Sequence, residues 1–141
     1  MGAGGAEGVP HRPAPCPSAD RPVPGRAHPP VAGLAPFTAQ DELYVSELHG
    51  PLDVLLHTRF TGECRGFAEG SVDDDEPRPV LYLRPHGRGE VCYFTLGHCR
   101  GRFDMQDSGV DDVGRVDRGS WGVPEYETVL RRCVHWAVGG A

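Results

Sequence analysis

Lysine, asparagine and isoleucine are absent from the 141 residues, so arginine alone carries the positive charge of the side chains that stay protonated. The pattern reads as a base-composition bias rather than a functional choice. Basic residues are few in any case: 14 against 20 acidic ones, a formal net charge of −6. That balance argues against nucleic acid as the main partner. No apolar run reaches membrane-spanning length, and no charged segment followed by an apolar one opens the chain. The expectation is a cytoplasmic protein with no membrane partner. The cysteines, at positions 16, 64, 92, 99 and 133, lack the even count and regular spacing of a disulfide framework, which points to a reducing compartment. Cys92 and Cys133 lie in apolar surroundings, where a free cysteine behaves as a small buried hydrophobe.

Proline and glycine are plentiful instead, and they dominate residues 1–27, where Val9 and Val23 are the only larger aliphatics after Met1. Such a tract buries too little apolar area to offset the entropy of ordering it. Residues 1–27 are therefore expected to be disordered, with the domain occupying 28–141. Val80–Leu83 and Glu90–Leu96 read as two strands joined by the turn Pro85–Gly89. In the second, Val91, Tyr93 and Thr95 alternate with Cys92, Phe94 and Leu96, so neither face is polar. A strand apolar on both sides suits a sheet covered on both sides, which favours α/β. Asp41–Val45 and Asp53–Phe60 are further strand candidates, expected to pair antiparallel across His49-Gly50-Pro51. The acids Asp73 to Glu76 lack the alternation of a calcium loop and read as a solvated loop. After an irregular stretch from Arg100 to Trp121 comes the clearest helix, near 124–138. Pro124 and Glu125 suit its start, and Tyr126, Val129, Leu130, Cys133 and Ala137 form an apolar stripe.

Three segments in order carry a family resemblance: HPPVAGLAPFTAQDELY at 28–44, RPVLYLRPHGRGEVCYFTLGH at 78–98 and RGSWGVPEYETVLRRCVHWA at 118–137. Together they resemble the C-terminal part of the trehalose-utilisation (ThuA-like) family. The likeness lies in Asp-Glu-Leu-Tyr, in the Arg-Pro-x-Gly-x-Gly turn, in the Leu-Gly-His strand end, and in the helix closing on Trp-Ala. His86 stands where the family has an aromatic residue and Arg88 where it has lysine, and the family's N-terminal half has no counterpart here. The resemblance implies an α/β fold, a partial flavodoxin-like sheet related to the class I glutamine amidotransferases, with a C-terminal helix. It also implies a role in the catabolism of trehalose-type disaccharides or keto-sugars, with a small-molecule sugar as partner. It names no cofactor.

Within that frame His98 matches the position of the amidotransferase triad histidine. An imidazole at a strand end can act as general acid or base near neutral pH. The competing reading is a histidine that only satisfies a strand terminus. The amidotransferase nucleophile belongs to the half without a counterpart. Cys99 does not replace it, because neighbours in extended chain point to opposite sides. No glutaminase activity is expected. Cys92, His98 and Cys99 lack the spacing of a zinc site, so no metal is expected. Asp41 and Glu42 are the carboxylates expected to orient His98, against the competing reading of an edge strand whose acids oppose pairing. Tyr44, Arg84 and His86 are candidate substrate-binding residues, the last two against a plain solvating role at the turn. Trp121 and Trp136 read as packing residues, although Trp121 is placed to cover a ligand. The alternative function is a non-catalytic, partner-dependent module. A sheet served by one helix leaves apolar surface uncovered, so self-association, or a partner chain supplying the missing half, is expected.

Overall fold

The computed structural model describes residues 28–60, 76–99 and 118–139 in full, and the backbone of residues 16–22, 62–63 and 71–72. The main sheet contains β1 (Cys16–Pro22), β2 (Phe37–Asp41), β3 (Asp53–Arg59), β6 (Arg78–His86) and β7 (Gly89–Phe94). Two short strands, β4 (Gly62–Glu63) and β5 (Ser71–Val72), pair separately. One helix, α1 (Pro124–Ala137), follows. The order across the main sheet is β2-β1-β3-β6-β7.

The mixed α/β character matches the expectation, but every ladder among the described residues is antiparallel. A flavodoxin-like sheet is doubly wound and parallel, and that arrangement is not seen in these pairings. The two-residue turn between β6 and β7 fixes that pair as antiparallel neighbours. Three local expectations change as well. Cys16–Pro22, inside the tract read as disordered, forms β1 and separates β2 from β3. The strand expected at Asp41–Val45 instead ends at Asp41, and residues 42–49 are irregular. The half-polar pattern of Asp41–Val45 was outcompeted by Phe37-Thr-Ala-Gln-Asp41, whose alternation of buried and exposed residues is complete. Finally, Val91 and Tyr93 are about half exposed, so only one face of β7 is covered.

Leu55, Leu56, Val80, Leu81 and Leu83 are at most 3% exposed and form the core with Val31, Phe37, Ala39, Leu96, Tyr126, Val129 and Cys133. Each large side chain buried this way contributes about 1.5–3 kcal/mol relative to exposure. Both Leu55 and Leu56 are buried because the β3–β6 register shifts on either side of Leu56, a bulge that turns successive side chains inward.

Helix α1 presents Tyr126, Val129 and Cys133 to the sheet, as its stripe requires. The Tyr126 ring stacks on Phe94 at 5.6 Å. Arg132 donates to the Ala32 carbonyl (2.7 Å), tying the helix to a 3-10 turn at Pro29–Val31. Among the described residues no helix is long and apolar enough to cross a membrane.

β2 and β7 are the two edges of the sheet, yet they meet at one end. The inward row of β2 runs Phe37, Ala39, Asp41 and so ends on a carboxylate. That carboxylate reaches the chain just beyond β7, and a second 3-10 turn, Gly119–Gly122, fills the gap between them. The sheet is thus drawn toward closure at the place where the candidate residues lie.

Candidate functional site

Asp41 is only 3% exposed and occupies a position where the period of β2 calls for an apolar residue. Burying a carboxylate is costly unless donors surround it, and here they do. One oxygen, Oδ1, accepts from the backbone N–H of Glu42 (2.8 Å) and of His98 (3.3 Å). The other, Oδ2, accepts from the N–H of Gly97 (2.8 Å) and from the Ser120 hydroxyl. Four donors from three chain segments converge on one side chain.

Two glycines make this approach feasible. Gly97 has φ +110°, and a β-carbon there would lie 2.4 Å from the Tyr126 hydroxyl oxygen. Gly119 has φ +50°, and its β-carbon would meet the His98 carbonyl oxygen at 2.6 Å. Both positions need a residue without a side chain. Trp121 then closes over the turn: its indole N–H donates to the Gly97 carbonyl (2.8 Å), and its ring meets Tyr126 edge-on at 5.2 Å. About half of Trp121 remains exposed.

The outcome is a fixed backbone at Gly97–His98 and a half-exposed imidazole. His98 Nε2 stands 3.4 Å from Glu42 Oε1, with about a third of each side chain accessible. The second Glu42 oxygen, Oε2, accepts from the Tyr44 hydroxyl (3.1 Å). Burial first, and then the Glu42 carboxylate, push the Tyr44 phenol above its ordinary value. Tyr126 is also raised, by burial and then by the Asp41 charge.

His98, Asp41, Glu42 and Tyr44 are therefore brought together, although their parts differ. Asp41 does not face the imidazole; it holds the backbone beneath it, and Glu42 is the carboxylate beside the ring. Arg84 and His86 are not part of this group. The site end of the hairpin is marked by the Thr95 N–H bond to Val80 (2.9 Å), while Arg84 and His86 are exposed toward the turn. Six strand residues from Val80 to His86 span about 20 Å. The resemblance grouped them with His98 as substrate-binding residues, but the hairpin carries them to its far end.

Sequence reasoning missed Ser120. A serine before a tryptophan carries no signal of its own, and only the fold makes its hydroxyl one of four donors. Among the described residues, no group of three or more His, Cys, Asp or Glu side chains is placed to hold a metal ion. The acidic run from Asp73 to Asp75 and most of Arg100–Trp121 lie outside the described residues.

No protein-family model, curated protein or solved structure matches the chain.

Proposed function

We propose that the chain is a ThuA-like domain acting in the catabolism of trehalose-type disaccharides or keto-sugars, with proton transfer centred on His98. The observation that carries this reading is the His98–Glu42 pair, 3.4 Å apart and open to solvent, on a backbone fixed by Asp41. A general acid or base must be reachable by substrate and held in place, and this imidazole is both. In this reading His98 takes or gives the proton beside a sugar carbonyl. Glu42 orients the ring through Nε2, which leaves Nδ1 as the nitrogen available to substrate. Asp41 is a positioning residue, and Tyr44 shares the Glu42 carboxylate. The flavodoxin-like relation stays with the motifs alone, since the ladders described above are antiparallel.

The test is proton exchange at the carbon next to the carbonyl of a keto-disaccharide in deuterated water, followed by NMR. The parent chain is expected to accelerate exchange above buffer. His98→Asn should lower it by about 100-fold or more, the contribution typical of a positioned acid–base group, with unfolding unchanged. Equal rates in parent, His98→Asn and buffer would overturn the reading.

A second reading, the partner-dependent module without activity, is favoured by the exposed Val45, Leu48, Val91 and Tyr93. It predicts no exchange from the isolated chain, and a change in its association state when a partner is added.

A further inference from the structure

Beyond Tyr44, the irregular segment after β2 and the outer face of the β6–β7 hairpin border a groove open to solvent. Its walls include Tyr44, Leu48, Arg78, Tyr82, Tyr93 and Thr95. Tyr82 and Tyr93 are register partners on adjacent strands, and their rings stack at 5.2 Å with 22° between planes. They form a broad aromatic wall, and Tyr93 is 49% exposed.

Tyr44 links the groove to the candidate site. Glu42 holds His98 at one oxygen and the Tyr44 hydroxyl at the other, and Tyr44 is itself a wall of the groove. A ligand whose reacting end meets His98 and which extends past Tyr44 would lie along the Tyr82–Tyr93 wall.

We infer that this groove binds the second ring of an extended, neutral, polyhydroxylated ligand, whose first ring occupies the His98–Glu42 site. The inference rests on the function proposed above and deepens it. The chemistry of the walls selects the class. A pyranose ring presents an apolar face of C–H groups that packs on an aromatic face, while its hydroxyls seek polar partners around the rim. Tyrosine hydroxyls, Thr95, Ser46 and the Arg78 guanidinium supply that rim. The chain's net charge of −6 disfavours a strongly anionic ligand, although Arg78 stands in the groove wall.

The test uses the full chain with two probes, trehalose and glucose, titrated by NMR with the tyrosine ring signals as reporters. Trehalose is expected to bind about tenfold more tightly than glucose, the gain from one added stacking contact, and to shift the Tyr82 and Tyr93 signals. Tyr93→Ala, at an exposed position, should abolish that difference and leave glucose affinity unchanged. Equal affinities of the two sugars in the parent chain would overturn the groove assignment while leaving the exchange reaction at His98 standing. An equal loss for both sugars in Tyr93→Ala would do the same. Binding of neither sugar would overturn the groove assignment, while exchange on the keto-disaccharide decides the His98 reading separately. Tyr93 shifts that follow protein concentration without sugar would assign the groove to a second copy of the chain and refute the sugar assignment.

Discussion

Removing the Asp41 carboxylate should destabilise the whole domain, because this one side chain joins the two edges of the sheet. In Asp41→Ala the N–H groups of Glu42, Gly97 and His98 and the hydroxyl of Ser120 lose their acceptor. A stranded buried donor costs about 1–3 kcal/mol. Glu42, Gly97 and His98 are only half-buried, so water can reach them and the lower end applies; Ser120 is fully buried but its hydroxyl can rotate. Relief of the desolvation of a buried charge offsets part of the loss. The net expectation is about 3 kcal/mol, a large part of the roughly 5–15 kcal/mol by which small domains are stable. Asp41→Asn keeps one acceptor oxygen and should cost about half as much. In urea, with a slope of about 1–3 kcal/mol per molar, the Asp41→Ala midpoint should fall by roughly 1–3 M. A double-mutant cycle with Ser120→Ala should show coupling of about 1 kcal/mol, since the two groups are direct partners. An Asp41→Ala protein within about 0.5 kcal/mol of the parent, the range of ordinary surface changes, would refute the reasoning.

Gly97→Ala should lower the thermal midpoint sharply, because its β-carbon would lie 2.4 Å from the Tyr126 hydroxyl oxygen at φ +110°; adding Tyr126→Phe should recover part, not all, of the loss. The Cys92–Cys133 thiol pair should react asymmetrically with alkylating reagents. The hydrogen bond from Cys133 lowers the Cys92 thiol despite partial burial, while Cys133 is held well above the ordinary thiol range by the same bond and by burial. Cys92 should therefore label at lower pH than Cys133, and the reverse order would count against the pairing. Glu42→Gln should bring the raised Tyr44 ionisation down toward its usual value of about 10 in an ultraviolet titration, since the carboxylate is one of its causes. A phenol raised on folding contributes stability that is complete below its unfolded pKa and is lost as pH climbs through the folded one. The parent should accordingly weaken at alkaline pH more steeply than Glu42→Gln. Exposed Val134 and Val138, away from the groove, should make the isolated chain self-associate in sedimentation velocity, and a single monomeric species at every concentration would exclude this.

The hairpin and the helix were legible because their signals are local. Alternation through Val80–Leu83 and Glu90–Leu96, and the 3.6-residue stripe from Tyr126 to Cys133, need no distant partner to be read. The strand ending at Asp41 was misplaced because Asp-Glu-Leu-Tyr alternates weakly on its own, while Phe37–Asp41 is inward-facing only once a core exists. β1 was invisible for a stronger reason. Nothing in CPSADRP marks a strand, and its pairing depends on β2 and β3 flanking it. The grouping of Glu42 with His98 followed from the resemblance. The way Asp41 reaches it did not, because a backbone N–H leaves no trace in a sequence. Ser120 and the far placement of Arg84 and His86 are likewise products of the assembled sheet.

The Asp41 contacts also bear on when the site comes into being. They join residues 56, 57 and 79 positions apart, so each closes a long loop and none forms early from local collapse. The β6–β7 hairpin can assemble during synthesis before them, but a nascent chain lacks the last Asp41 donor until Ser120 has been added. The surroundings of His98 are thus completed only after Ser120 has been added and these distant segments have docked. A chain arrested or clipped before that point would keep much of its secondary structure while the His98–Glu42 pair had no fixed floor.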